Sequence, residues 1–129
     1  MVRSDLDNRL RELGIYSDFY YRKEMKALSQ VLGEYEQLNC VLTGVHEGNR
    51  KLVAVTDRRI LILFTPFGGG DMKVIRRESV KDWRFEKKFL FSTLIIETVG
   101  GASFTFTNTQ GKLRDLFTWA MEQPLPTAD

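Results

Sequence analysis

The apolar positions along the chain change period twice, and these changes divide it into three parts. Ser4-x-x-Asp7 followed by Leu6, Leu10 and Leu13 predicts a short helix with Ser4 as N-cap and Gly14 as its stop. Ser17 then caps a second predicted helix, running to Leu32. Its apolar residues Tyr21, Met25, Leu28 and Leu32 recur at spacings of four, three and four, which places them on one stripe. Such a stripe is the face that packs on the rest of the fold, and Gly33 ends the helix.

Beyond Gly33 the pattern becomes extended. Leu38–Val45 is apolar and rich in β-branched residues, with Glu47-Gly48-Asn49 as the turn that follows. Lys51–Thr56 and Arg59–Phe64 form the next two strands around Asp57-Arg58, and Phe67-Gly68-Gly69-Gly70-Asp71 connects onward. Met72–Arg77 and Val80–Lys87 are read as a pair joined at Glu78-Ser79. Ser92–Val99 and Ala102–Thr107 form a last hairpin around Gly100-Gly101. Phe104 and Phe106 alternate with Thr105 and Thr107, the mark of a half-buried strand. Seven short strands in series predict a twisted meander, folded over as a sandwich or closed as a barrel.

The third part returns to a helical period. Leu113, Leu116, Phe117, Ala120 and Met121 follow the i, i+3, i+4, i+7, i+8 rule, with Asn108 or Thr109 as cap and Pro124 as stop. One amphipathic helix after seven strands is expected to plug the open end of the barrel. Trp119 lies off its stripe. The fold class is therefore α+β: an antiparallel seven-stranded barrel or sandwich closed by a C-terminal helix, with N-terminal helices.

Composition narrows the class. The chain of 129 residues is 43% hydrophobic and 28% charged, enough for one domain with a core. No stretch approaches the roughly 20 apolar residues of a membrane-spanning helix. The charged start, Met1-Val2-Arg3-Ser4-Asp5-Leu6-Asp7, is unlike a signal peptide. The single cysteine, Cys40, excludes an internal disulfide framework, and a cytoplasmic location is expected. The net charge of +2 hides an asymmetry, because Arg50 to Lys88 holds eleven Lys/Arg against five Asp/Glu. A basic middle between acidic flanks marks either an anionic partner or the solvated face of the strands.

The run from Gly48 to Phe64, with Thr56-Asp57-Arg58-Arg59 between an apolar strand and a very apolar one, resembles the bacterial pleckstrin-homology-like (PH-like) domains, including the YokE type. Val80-Lys81-Asp82-Trp83, the Phe104-Thr105-Phe106 strand and the final helix are similar to the same family. The resemblance divides the chain into an N-terminal helical extension (1–33), a PH-like domain (34–123) and a short tail (124–129). It implies a fold that hosts lipid-headgroup, peptide and protein binding more than any one activity.

Enzyme chemistry finds little support. His46 is the only histidine, and six residues separate it from Cys40. On a regular strand that is about 20 Å, too far for a nucleophile–base pair. One His and one Cys cannot make a structural zinc site, and Gly68-Gly69-Gly70-Asp71 lacks the Lys-Ser/Thr ending of a phosphate loop. No cofactor is expected. Two binding readings stand. The first is an interaction or assembly module, self-associating as a homo-oligomer or taking a protein partner, with Phe19, Tyr20, Phe89, Leu90 and Phe91 as interface candidates. The second is an anionic lipid-headgroup or membrane surface, with Arg50, Lys51, Arg58, Arg59, Lys87 and Lys88 as its cations. Nucleic acid ranks third, since no RNP-type motif accompanies the weak overall charge.

Overall fold

The computed structural model describes residues 1–65, 70–87 and 91–126. The chain begins with three helices, α1 (Arg3–Glu12), α2 (Tyr16–Phe19) and α3 (Glu24–Val31). Seven strands follow: β1 (Leu38–His46), β2 (Asn49–Thr56), β3 (Arg59–Phe64), β4 (Asp71–Arg76), β5 (Val80–Lys87), β6 (Ser92–Thr98) and β7 (Ser103–Thr109). Helix α4 (Arg114–Glu122) is last, entered through a short 3-10 turn, Gly111–Leu113.

The strands lie in the order β4-β3-β2-β1-β7-β6-β5, every neighbouring pair antiparallel. They form one seven-stranded sheet in two halves, β1–β4 (the first sheet) and β5–β7 (the second sheet), joined where Val45 of β1 meets Thr107 of β7. Close crossing at this seam depends on Gly44. A Cβ there would lie 2.7 Å from Phe106 Cβ and 2.8 Å from Thr109 Cγ2, closer than side chains approach. Where β1 and β7 splay apart, the Gln110 side chain replaces the ladder. It accepts from the Thr43 N–H at 2.9 Å and donates to the Thr43 hydroxyl at 2.6 Å.

Alternation along the strands fixes two faces. Leu42, Val53, Val55, Ile60, Ile62 and Ile75 point inward, toward Leu94, Ile96, Phe104 and Phe106 of the second sheet. Helix α4 lies against β1 and β2 between the sheets. Its Phe117 is fully buried, edge-on to Trp83 at 5.4 Å between ring centroids and 5.9 Å from Phe85. The plug expected from the C-terminal stripe is present, and Trp119 lies half exposed off it.

The opposite face of the first sheet carries Val41, Leu52, Ala54, Leu61 and Leu63, all buried. Leu6, Leu10, Ile15, Phe19, Met25, Leu28 and Leu32 from the N-terminal helices pack into one core with them. The helices are thus a third layer of the fold.

Several local expectations give way. Ser4 sits within the first turn of α1, whose N-cap is Val2 with no side-chain bond. The predicted Ser17–Leu32 helix is broken at residues 20–23, and Tyr21 is 66% exposed. Phe19 and Met25, both buried, are six residues apart and would fall on different faces of one continuous helix; the break lets both reach the core. Neither Asn108 nor Thr109 caps α4: Asn108 has φ +53° and Thr109 ends β7, its hydroxyl donating to the Ser92 carbonyl at 2.7 Å. The strand pair expected between β4 and β5 is not formed. A 3-10 turn at Arg77–Ser79 separates them, and the sheet is left unclosed there. Arg77 anchors this turn. Its guanidinium is buried and donates to the carbonyls of Asp57, Met121 and Gln123, pinning this corner to the C-terminus of α4. Burial pulls its pKa below the ordinary value, partly opposed by Asp57.

Candidate functional site

The Thr56–Arg59 motif, the sequence's most specific signal, serves the architecture. The Thr56 hydroxyl accepts from the Arg58 and Arg59 N–H groups at 3.1 and 3.0 Å, closing the β2–β3 turn. It donates in turn to Glu36 Oε2 at 2.7 Å. Arg59 grips both Glu36 oxygens, at 2.8 and 2.9 Å, and the Val31 carbonyl at 2.8 Å. Asp57 exchanges two bonds with Gln37. The motif therefore locks the turn to the segment linking α3 and β1. Burial acts to raise the Glu36 pKa, but Arg59, Thr56 and the Gly33 N–H together hold it below the usual carboxylate value. Arg59 is raised by the same pairing. A guanidinium so engaged is a structural group.

The five predicted cations among the described residues do not converge. Arg58 is an exposed neighbour of Asp57 at the same turn as Arg59. Arg50 and Lys51 stand at the other end of β2, five to six residues of strand from Thr56 or roughly 17–20 Å. Arg50 donates to Thr43 Oγ1 and to the Asn108 carbonyl. Lys51 is half-buried, 3.8 Å from Glu47 and over the Phe64 ring at 6.0 Å. Lys87 is exposed at the end of β5, on the second sheet. Lys88, Phe89 and Leu90 lie outside the described residues, as does the 66–69 connection. Of the interface candidates, Phe91 is 54% exposed and Tyr20 is exposed, stacked on Tyr16. Phe19, at 1% exposure, is part of the core and offers nothing to a partner.

Two surfaces stand out instead. At the mouth between the β1–β2 turn and the start of β4, a hollow of about 140 Å³ is lined by His46, Glu47, Lys51, Ile62, Phe64, Asp71 and Lys73. Its charges alternate in sign. Lys73 sits 4.7 Å over the Phe104 ring, and His46 lies against Phe104 and Phe106 while contacting Glu47 at 3.4 Å. The second surface is the free edge at β4. Its outward side chains Met72 and Val74 are 41% and 42% exposed, next to Leu61 and Leu63, which the helices bury. Their partners on the sheet face mark where the helical cover stops. Sequence reading missed this surface. Met72 and Val74 share a parity, and that was readable, but which strand would be an edge was not.

Burial pushes the Cys40 thiol far above its ordinary pKa, the state of an inert core cysteine. Among the described residues, no group of three or more His, Cys, Asp or Glu side chains is placed to hold a metal ion. Among them too, no helix is long and apolar enough to cross a membrane.

Comparison with known proteins agrees with this architecture. A crystal structure of the C-terminal domain of an unknown protein from Leishmania infantum is similar to the chain, with a TM-score of 0.54 and 17% identity. The likeness covers 81% of this chain and 94% of that one, and it concerns the fold. No curated protein matches the sequence. The family model described as a bacterial PH domain matches residues 32–120, which is more than half the chain and spans all seven strands and most of α4. The chain belongs to the bacterial PH domain family.

Proposed function

We propose that this PH domain is a non-enzymatic interaction and assembly module, and that it associates with a second copy of itself along the β4 edge. The observation that carries this reading is the contrast between the outward Met72 and Val74 and the buried row beside them. Among the described residues β4 pairs with β3 on one side only, so its other side offers backbone groups to a further strand. Antiparallel pairing about a two-fold axis preserves the sheet faces, so residues of equal parity come opposite. Centring the axis on Val74 sets Val74 against Val74 and Met72 against Arg76, whereas centring it on Lys73 opposes two like charges. The first register is favoured.

Magnitudes set the strength expected. Covering Met72 and Val74, each already half-buried, contributes about 1 kcal/mol per side chain. Against an association cost of at least about 4 kcal/mol, the ladder must supply the remainder, so the contact is weak and concentration-dependent. Sedimentation velocity from about 5 to 500 µM should show a monomer giving way to a dimer, a range that corresponds to roughly 4.5–7 kcal/mol. Val74→Lys should hold the chain as a monomer throughout. A concentration-independent monomer for both proteins removes the reading.

The alternative, an anionic membrane surface, draws support from Phe91, exposed near Lys87 at the β5–β6 end. Salt-sensitive co-sedimentation of the monomer with anionic vesicles, lost in Phe91→Ser, would favour it.

A further inference from the structure

At the opposite edge of the sheet from β4, a hollow of about 200 Å³ opens where the start of β5 meets the end of α4. Met121 and Leu125 of its lining lie past the 32–120 span that matches the family model, so nothing in that match defines it. Four consecutive residues, Val80 to Trp83, also line it, although successive side chains of a regular strand take opposite faces. A bulge resolves this. Val80 pairs with Thr98 and Asp82 with Glu97, which leaves Lys81 as the extra residue, and bulges re-aim the side chains around them.

The lining joins apolar walls to a buried cation. Val80, Trp83 and Met121 are partly buried against the core, and Leu125 is half-exposed. Arg77 is 8% exposed, and its bonds to three carbonyls use three of its five N–H groups. Its Nε is buried with no partner among the described residues. Such an atom is uncommon in a folded protein, and on a cation it calls most strongly for a charged acceptor. The structure supplies none directly. Asp57 acts on Arg77 only through its charge, and it is shared with Arg58, 3.9 Å away. Lys81 and Asp82 are both exposed. Arg58, Arg77 and Lys81 against Asp57 and Asp82 leave one positive charge in excess at this corner.

The geometry points to a binding site for a small organic acid, a single carboxylate on a compact apolar body. The carboxylate lies between Arg77 and Lys81, where one negative charge cancels the excess. The apolar body lies against Trp83 and Met121, whose ring and thioether both favour a flat or branched group. The volume is below the roughly 300–1,000 Å³ of drug-sized sites, so the occupant is small.

The test is an amide-resolved NMR titration of the full chain at pH 7 with phenylacetate, run beside phenylacetamide and acetate. Phenylacetate should saturably shift the amides of residues 77, 80–83, 121 and 125, together with the Arg77 Nε–H and Trp83 indole N–H resonances. It should bind more tightly than its neutral amide or acetate alone. Two exposed substitutions then test the charge balance in opposite directions. Lys81→Gln should weaken binding by about two- to fivefold, and Asp82→Asn should tighten it by a similar factor. A general loss of structure cannot produce that pair of results. Absence of shifts at about 10 mM ligand, tenfold weaker than millimolar binding, would overturn the proposal. So would equal binding of phenylacetamide, or either variant binding as the parent does.

Discussion

The two sheets of this molecule are built from the same kind of strand but meet the outside differently. The outward row of β1–β3, Val41, Leu52, Ala54, Leu61 and Leu63, lies beneath three helices and is as buried as the inner face. The outward row of β5–β7 meets water. Arg84 bridges Glu86 and Glu97 at 3.1 Å each, and Thr105 is exposed. A one-sided sheet needs alternation, and a two-sided one needs continuous apolar runs. The sequence obeys both: Arg59–Phe64 is nearly all apolar, while Phe104-Thr105-Phe106-Thr107 alternates. The same contrast separates the edges. β5 guards its outer face with Asp82, Arg84 and Glu86, whereas β4 presents Met72 and Val74.

The sharpest way to break this comparison is to truncate equivalent outward residues of the two sheets. Leu61→Ala, beneath α3, should cost about 2–5 kcal/mol in urea denaturation, and Ile95→Ala, half-exposed, under about 1 kcal/mol. Equal losses would mean that the helices do not act as a third layer. Within the interior, Phe117→Ala should cost about 3–5 kcal/mol, because its ring joins β5 to the face of β1 and β2. Trp119→Ala, half-exposed on the same helix, should cost clearly less.

Much of this was legible in the sequence because periodicity reports burial. All seven strands and the α4 stripe follow from period alone, each within about two residues of its observed bounds. What failed was non-local. Nothing near Arg77 reveals that it will bind carbonyls of α4, 44 and 46 residues away, so the β4–β5 hairpin looked reasonable. The charges at Arg50 and Arg59 were visible, but their partners, Asn108 and Glu36, come from other elements. The basic run therefore resembled one patch, while Arg50 and Arg59 are held in structural bonds at opposite ends of β2. Tyr21 fitted the helical stripe only while the helix was taken as unbroken.

Smaller effects sharpen the seam and the clamp. Gly44→Ala should destabilise by about 1–3 kcal/mol, since Phe106 and Thr109 must move apart to admit a methyl group. Thermal or urea unfolding would measure it, and a neutral result would contradict the close crossing of β1 and β7. Glu36→Gln should cost about 1.5–3 kcal/mol at pH 7 through loss of charged bonds to Arg59 and Thr56. The pH dependence has a definite sign. With its folded-state pKa lowered, Glu36 contributes stability that is complete above the ordinary carboxylate range and is lost as pH falls through the folded value. Denaturation at pH 7 and pH 3 should therefore show a smaller acid loss in Glu36→Gln than in the parent.

The claim at the centre is that the helical cover stops at β3 and leaves β4 to a second copy. Hydrogen exchange at two protein concentrations, about 5 and 500 µM, reads this directly, because only a strand newly paired between molecules gains protection with concentration. The amides of Asp71–Arg76 should exchange more slowly at the higher concentration, with those of Val80–Lys87 unchanged. Identical exchange of β4 at both concentrations, or a gain confined to β5, would contradict the account.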